Sequence, residues 1–151
     1  MDIVQLEALT LTPDQLLLDP NNYRFHDLPG YRAVTRARFA EKGVQDRALQ
    51  FLQETPAFDL GALRESIISN GFVPFEQIVV EAFSDEPNQP AAETGAGMDP
   101  KTKYVVVEGN RRAAAIKTLL RDHEGGARDL KPDVLATIQI LNVIEIKGSE
   151  T

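Results

Sequence analysis

Val105-Val106-Val107-Glu108-Gly109-Asn110-Arg111-Arg112-Ala113-Ala114-Ala115-Ile116-Lys117 passes from an apolar strand through a glycine turn straight into an alanine-rich helix. A junction of this kind leaves the first N–H groups of the helix without intrahelical partners, and glycine lets a ligand come close to the backbone. Asn110 is a candidate helix cap, which would leave the amides near Arg112 and Ala113 pointing outward. Arg111 and Arg112 oppose the macrodipole, which favours anions at a helix start. A bound phosphate would reverse that sign, because amides, dipole and guanidinium groups would converge on one anion. Two solvated arginines, or arginines paired with Glu108 or Asp122, are the competing reading. The segment is not a Walker loop, since the spaced glycines and the Lys-Ser/Thr end are absent.

Working outward, Lys103–Glu108 reads as a strand and Arg111 to about Asp122 as a helix with Ala113, Ile116, Leu119 and Leu120 inward, stopped by Gly125-Gly126. Upstream, Gln77–Ala82 is rich in β-branched residues and reads as a second strand. Between the two strands, residues 84–102 hold Pro87, Pro90, Pro100, Gly95 and Gly97 and are expected to form a long flexible connection. Leu60–Asn70 reads as a helix capped by Asp59 and stopped at Asn70-Gly71. From about Tyr31 to Gln53 the apolar spacing suggests one or two helices broken near Gly43. Residues 9–18 read as an entry strand turning at Thr12-Pro13-Asp14 and ended by Asp19-Pro20-Asn21-Asn22. Val134–Ile146 alternates across Thr137-Ile138-Gln139-Ile140 and reads as a closing element that ends as a strand. This order predicts a single α+β domain over 1–151, a small curved mixed sheet flanked by helices, with a helical insert at about 31–54.

The composition limits what such a domain can do. At 151 residues it can bury roughly two-thirds of its unfolded surface, so it needs no covalent staple. It also has none: the absence of cysteine excludes disulfides, thiolate metal sites and a cysteine nucleophile, and fits a cytoplasmic location. With 16 Lys plus Arg against 23 Asp plus Glu, the net charge of −7 argues against gripping duplex DNA by bulk electrostatics alone. His26 and His123 lie far apart without neighbouring ligand residues. The start, Met1-Asp2-Ile3-Val4-Gln5, lacks the basic region and apolar core of a signal peptide, and no apolar run suits a membrane span.

Three motifs in order give the chain a family likeness. Leu16-Leu17-Leu18-Asp19-Pro20-Asn21-Asn22-Tyr23-Arg24 is a strand, an Asn-Pro-type turn and an arginine. Leu63-Arg64-Glu65-Ser66-Ile67-Ile68-Ser69-Asn70-Gly71-Phe72-Val73-Pro74 follows the form Leu-x-x-Ser-Ile-x-x-x-Gly-x-x-x-Pro. Gly109-Asn110-Arg111-Arg112-Ala113-Ala114-Ala115 parallels a Gly-Glu-Arg-Arg-x-x-Ala box. Together they resemble the ParB/sulfiredoxin-like superfamily, in particular the ParB N-terminal domain, from about residue 10 to 146. This chain has Asn110 where the ParB box has glutamate, and Phe75-Glu76 where isoleucine usually follows the proline. Asn110 also stands where sulfiredoxin carries its cysteine, so that reductase chemistry is excluded.

The resemblance implies a nucleotide-binding domain taking an NTP, CTP or ATP, with Mg²⁺. Gly109, Asn110, Arg111, Arg112 and Ala113 would line the phosphate site, Arg24 would approach from the first motif, and Ser66 and Gly71 would lie on the nucleotide side. Glu108 is the candidate for holding Mg²⁺ or orienting a water, with Asp19 and Glu65 as weaker acids. Slow hydrolysis as a conformational switch would follow from positioning and charge neutralisation. The ParB motif that closes over the nucleotide and the DNA-reading helix-turn-helix are not found, so the chain is expected to be the N-terminal module of a longer DNA-associated protein, with a homodimer among its expected partners. A Mg²⁺-dependent nuclease using Glu108 and Arg112, and a non-catalytic protein-interaction module, remain alternatives. The insert carries Arg32, Arg36, Arg38, Lys42 and Arg47 against Glu41 and Asp46, either a basic face for a partner or a solvated helical face.

Overall fold

Five strands form one open mixed sheet in the computed structural model of the chain, which describes residues 5–73, 77–83 and 102–147. The strands are β1 (Gln5–Leu11), β2 (Leu16–Leu17), β3 (Val79–Phe83), β4 (Lys103–Glu108) and β5 (Leu141–Lys147), lying side by side in the order β1-β5-β3-β4-β2. Antiparallel pairs (β1 with β5, β3 with β4) alternate with parallel ones (β3 with β5, β2 with β4). The helices are α1 (Lys42–Glu54), α2 (Leu60–Asn70), α3 (Asn110–Glu124) and α4 (Pro132–Gln139). The α+β class and the mixed sheet flanked by helices are therefore as the sequence implies.

Strand alternation assigns the two faces. Val80, Tyr104, Val106, Leu141 and Val143 bury one face in the main core, shared with Ala48 and Leu52 of α1, Ile67 of α2, Ile116 of α3 and Ile138 of α4. Leu17, Phe83 and Val105 face the other way and are covered by Phe39 and Val34. Ile116 and Leu119 have no exposed surface. Burying each contributes about 1.5–3 kcal/mol, more than the roughly 1 kcal/mol of a typical cap. Packing, not capping, therefore fixes α3 against the sheet.

Several boundaries differ from the sequence reading, each for a local reason. The entry strand over 9–18 turns at Thr12-Pro13-Asp14 as the sequence implies, but the turn is a 3-10 turn, Pro13–Gln15, that divides it into two strands. Gln15 causes the break: its side chain accepts from the Thr12 amide at 3.0 Å, while Pro13 supplies the first turn residue. Short β2 is then completed by a side chain, because Gln45 accepts from the Leu18 N–H at 2.7 Å and donates to the Leu18 C=O at 2.9 Å. The Gln45 amide stands where a further strand would, which closes part of that edge.

The helical reading of 31–53 holds only from Lys42, with Gly43 inside the first turn of α1. Before it the chain runs across the second sheet face with one 3-10 turn, Arg36–Arg38. Asn21 holds it there: its Nδ2 donates to the Val34 C=O and its Oδ1 accepts from the Val34 N–H, both at 2.8 Å. Phe39 stacks on Phe83 with centroids 6.2 Å apart, and Arg36 lies 5.7 Å from each ring while pairing with Glu81 at 2.8 Å.

Val134–Ile146 is not one alternating element but α4 followed by β5. Pro132 starts the helix, Asp133 sits in its first turn, and Val134 and Ile138 bury one turn apart. The readings of α2 and its caps agree with the structure: Asp59 Oδ1 accepts from the Ala62 N–H at 3.3 Å, and Gly71, at φ +74°, is the C-cap. The connection expected at 84–102, apart from its last residue, and the segment 74–76 lie outside the described residues.

Candidate functional site

The glycine turn is shaped by an irregularity in the strand before it. Val80 pairs with Val106 and Val79 with Glu108, so Val107 is one residue in excess on β4. A bulge of this kind re-aims the side chains around it. Val107 and Glu108 are both exposed at the end of the strand, whereas Tyr104, Val105 and Val106 are buried. Gly109 then takes a left-handed backbone, φ +99° and ψ +25°, as the N-cap of α3. A Cβ there would stand 3.1 Å from Ile78 Cγ1 and 3.3 Å from Ile78 Cα, so both conformation and space call for glycine.

Asn110 does not cap the helix, contrary to the sequence reading. It is the first helical residue and is buried, and its side chain turns inward. Nδ2 donates to the Val106 C=O at 3.1 Å and Oδ1 accepts from the Asp19 N–H at 2.9 Å. The first intrahelical bond runs from the Ala113 N–H to the Gly109 C=O at 2.9 Å. The Ala113 amide is thus spent within the helix rather than pointing outward, while the amides of Asn110, Arg111 and Arg112 precede the ladder.

Around this helix start lies a cleft of about 290 Å³ whose walls include Tyr23, Arg24, Glu108, Gly109, Arg111 and Arg112. Arg24 arrives from the first motif on a 3-10 turn, Tyr23–Phe25, where Asn22 Oδ1 accepts the Arg24 N–H at 3.1 Å. Its Nε donates to the Tyr23 hydroxyl at 3.2 Å, an interaction that raises its pKa, with the charge of Glu108 a smaller contribution in the same direction. Burial lowers the pKa of Arg112, and the positive charge of Arg24 lowers it further. Arg111 reaches the Asp59 C=O through Nη2 at a long 3.4 Å, and its buried Nε has no hydrogen-bond partner among the described residues. Asp59 itself is held at φ +46°.

Three arginines and the positive end of a helix therefore line one cleft, and among the described residues Glu108 is the carboxylate on its wall. An anion bound among them would be favoured by the helix end and the arginines together. A larger cavity of about 510 Å³, bounded by Leu16–Leu18, α1 and α3, is less suited: Asp14, Asp46 and Glu124 outnumber Lys117 and Arg121 there.

Of the residues singled out by sequence, Arg24, Glu108, Gly109, Asn110, Arg111 and Arg112 come together at the cleft. Ala113 is buried behind it. Ser66 is exposed on α2 and Gly71 packs beside the Thr137 side chain, and neither lines the cleft. Asp19 is half-buried and bound to the Asn21 amide at 2.8 Å, its carboxyl pKa raised mainly by burial, and Glu65 lies 3.6 Å from Arg128. Tyr23 and Val107 were not identifiable as cleft residues, although Tyr23 stands between Asn22 and Arg24 in the first motif. Most cations of the insert have local partners: Arg38 with Glu41 at 3.1 Å, Lys42 with Asp46 at 2.7 Å, and Arg47 with the Gly30 C=O at 3.1 Å and the Phe51 ring. The solvated-face reading of that segment is the one these pairs favour.

Comparison with known proteins finds no matching family model, no matching curated protein and no matching solved structure. Among the described residues no helix is long and apolar enough to cross a membrane, and no group of three or more His, Asp or Glu side chains is placed to hold a metal ion.

Proposed function

We propose that this chain is a ParB-like nucleotide-binding domain whose cleft at the start of α3 takes the polyphosphate of an NTP. The observation that carries the reading is the convergence of Arg24, Arg111 and Arg112 on the N-terminus of α3 around Gly109. Preorganised amides, the helix dipole and guanidinium groups are the usual elements of a phosphate site. The three family-like motifs support it further, since the first and third meet at this cleft. The second contributes the helix α2 but no wall of the cleft.

Glu108 suits Mg²⁺ of the kind held by one carboxylate together with substrate phosphates, which needs no cage of protein ligands. Magnesium bound in that way would neutralise phosphate charge. The chain's own share is to bind and orient: Arg24 and Arg112 on phosphate oxygens, the Gly109–Arg112 backbone beneath them, and Glu108 at the rim. With Glu108 the one carboxylate among the described cleft residues, the reading is binding first, with slow hydrolysis as a switch second.

Isothermal titration of the chain with each NTP, with and without Mg²⁺, tests this. A dissociation constant below about 1 mM (roughly −4 kcal/mol) that weakens in Arg112→Ala is expected. No binding in that range, together with an inert Arg112→Ala variant, would remove the proposal. Mg²⁺-dependent plasmid cleavage abolished by Glu108→Ala would put the nuclease in its place.

A further inference from the structure

The apolar surface beside the cleft is as unusual as its charge. Among the described residues five large hydrophobic side chains are prominently exposed, Leu6, Tyr23, Val73, Val107 and Ile140, and Tyr23 is the aromatic one. Tyr23 is 69% exposed and Val107 43%, and both line the arginine cleft. Each is put there by a local device: Tyr23 by the 3-10 turn capped by Asn22, Val107 by the bulge in β4. The Tyr23 ring is also steadied. The Arg24 guanidinium lies 5.5 Å from its centroid, and Arg24 Nε donates to its hydroxyl. A flat, exposed ring held at the mouth of a basic cleft is a stacking platform, and base–aromatic stacking tolerates any base because every base has a π-face.

Size points the same way. At about 290 Å³ the cleft lies at the small end of ligand pockets. A polyphosphate would occupy it, leaving the nucleoside at the rim where Tyr23 and Val107 are exposed.

Resting on the phosphate reading above, we infer that Tyr23, with Val107 beside it, stacks the base of the bound nucleotide. The site thereby distinguishes nucleotides from other polyphosphates while discriminating little between bases. Arg24 links the two halves of the site, since the guanidinium that lines the phosphate cleft also orients the ring.

The test titrates the full chain with ATP, CTP and methyl triphosphate, the last carrying the same phosphate charge without a nucleoside. ATP and CTP are expected to bind at least about tenfold more tightly than methyl triphosphate. Tyr23→Ala should erase that advantage and leave methyl triphosphate within twofold of wild type, whereas Tyr23→Phe keeps it. An exposed side chain can be removed without unfolding the domain, and circular dichroism of each variant checks this. The inference falls, and the phosphate site stands, if the wild type binds all three alike or if the advantage survives in Tyr23→Ala. It also falls if Tyr23→Ala weakens all three equally, because the ring would then act only through Arg24. If none of the three binds, both this inference and the nucleotide reading are overturned.

Discussion

Asn110 Oδ1 accepts the Asp19 amide proton at 2.9 Å, joining the start of α3 to the turn of the first motif. The same side chain donates to the Val106 C=O at 3.1 Å, so one buried amide ties together the β2 exit, the β4 end and the helix start. The two motifs that meet at the cleft are thus fastened by a residue whose own polar atoms are engaged with the backbone. In Asn110→Ala the Asp19 N–H and Val106 C=O lose their partner. Leaving buried polar groups unmade costs about 1–3 kcal/mol. Urea unfolding should show the unfolding free energy falling by that amount, and a value equal to wild type would mean that water replaces the amide without cost.

Gly109→Ala should be more damaging than its size suggests. The left-handed backbone costs a residue with a Cβ about 1–2 kcal/mol, and the Cβ would press on Ile78 at 3.1–3.3 Å. Overpacking adds about 1–3 kcal/mol. In a background of Ile78→Ala, which removes the close Cγ1, the Gly109→Ala penalty should shrink only in part, because the Ile78 Cα is itself among the close atoms. A double-mutant cycle on unfolding free energies measures that coupling. Full disappearance of the penalty would assign the strain to the side chain alone.

The junction at Gly109 was legible in the chain because β-branched residues, a glycine and an alanine run follow one another without ambiguity. Asp59 and Gly71 were legible for a related reason, as caps are local chemistry. α4 was not: Thr137-Ile138-Gln139-Ile140 alternates like a strand, while Val134 and Ile138 also fit one helical face, and a short apolar run does not decide between them. Pro132-Asp133 carried the start signal. The stretch 31–41 was misread because its course is set by Asn21 and Phe83, both outside it. The cleft was half visible: the arginines announced themselves by charge. The exposure of Val107 depends on its register against β3, which a single strand's sequence does not carry.

Arg24 and Arg112 should separate affinity from stability. Arg24 is largely exposed, and its charge lowers the pKa of Arg112, so Arg24→Ala is expected to leave thermal stability unchanged or slightly raised. Triphosphate affinity should nevertheless fall about tenfold, since charge-assisted hydrogen bonds contribute about 1.5–3 kcal/mol each. The salt dependence of binding should weaken as one cation is lost. Differential scanning calorimetry and titration on the same sample check both halves. A variant that loses stability without losing affinity would make Arg24 a structural residue.

Lys117 gives the chain a distinctive alkaline stability profile. It is mostly buried, with its Nζ on the Pro13 C=O at 3.0 Å, and burial lowers its pKa to about 8 from 10.5, with Asp14 opposing and Lys103 adding to the shift. Below pH 8 both folded and unfolded chains hold the proton, and the folded state carries the whole penalty. Between pH 8 and about 10.5 the folded chain releases the proton while the unfolded chain keeps it. The unfolded state then binds more protons, so stability rises with pH across that window. A depression of this size corresponds to roughly 3 kcal/mol at full development. Tyr104 acts in the opposite sense from pH 10 upward, its buried phenol being raised to about 12, so pH 8–10 is the range to measure. Urea unfolding at intervals of half a pH unit should show the rise in wild type and its absence in Lys117→Met. Parallel profiles for the two proteins would mean that the ammonium group reaches solvent in the folded chain.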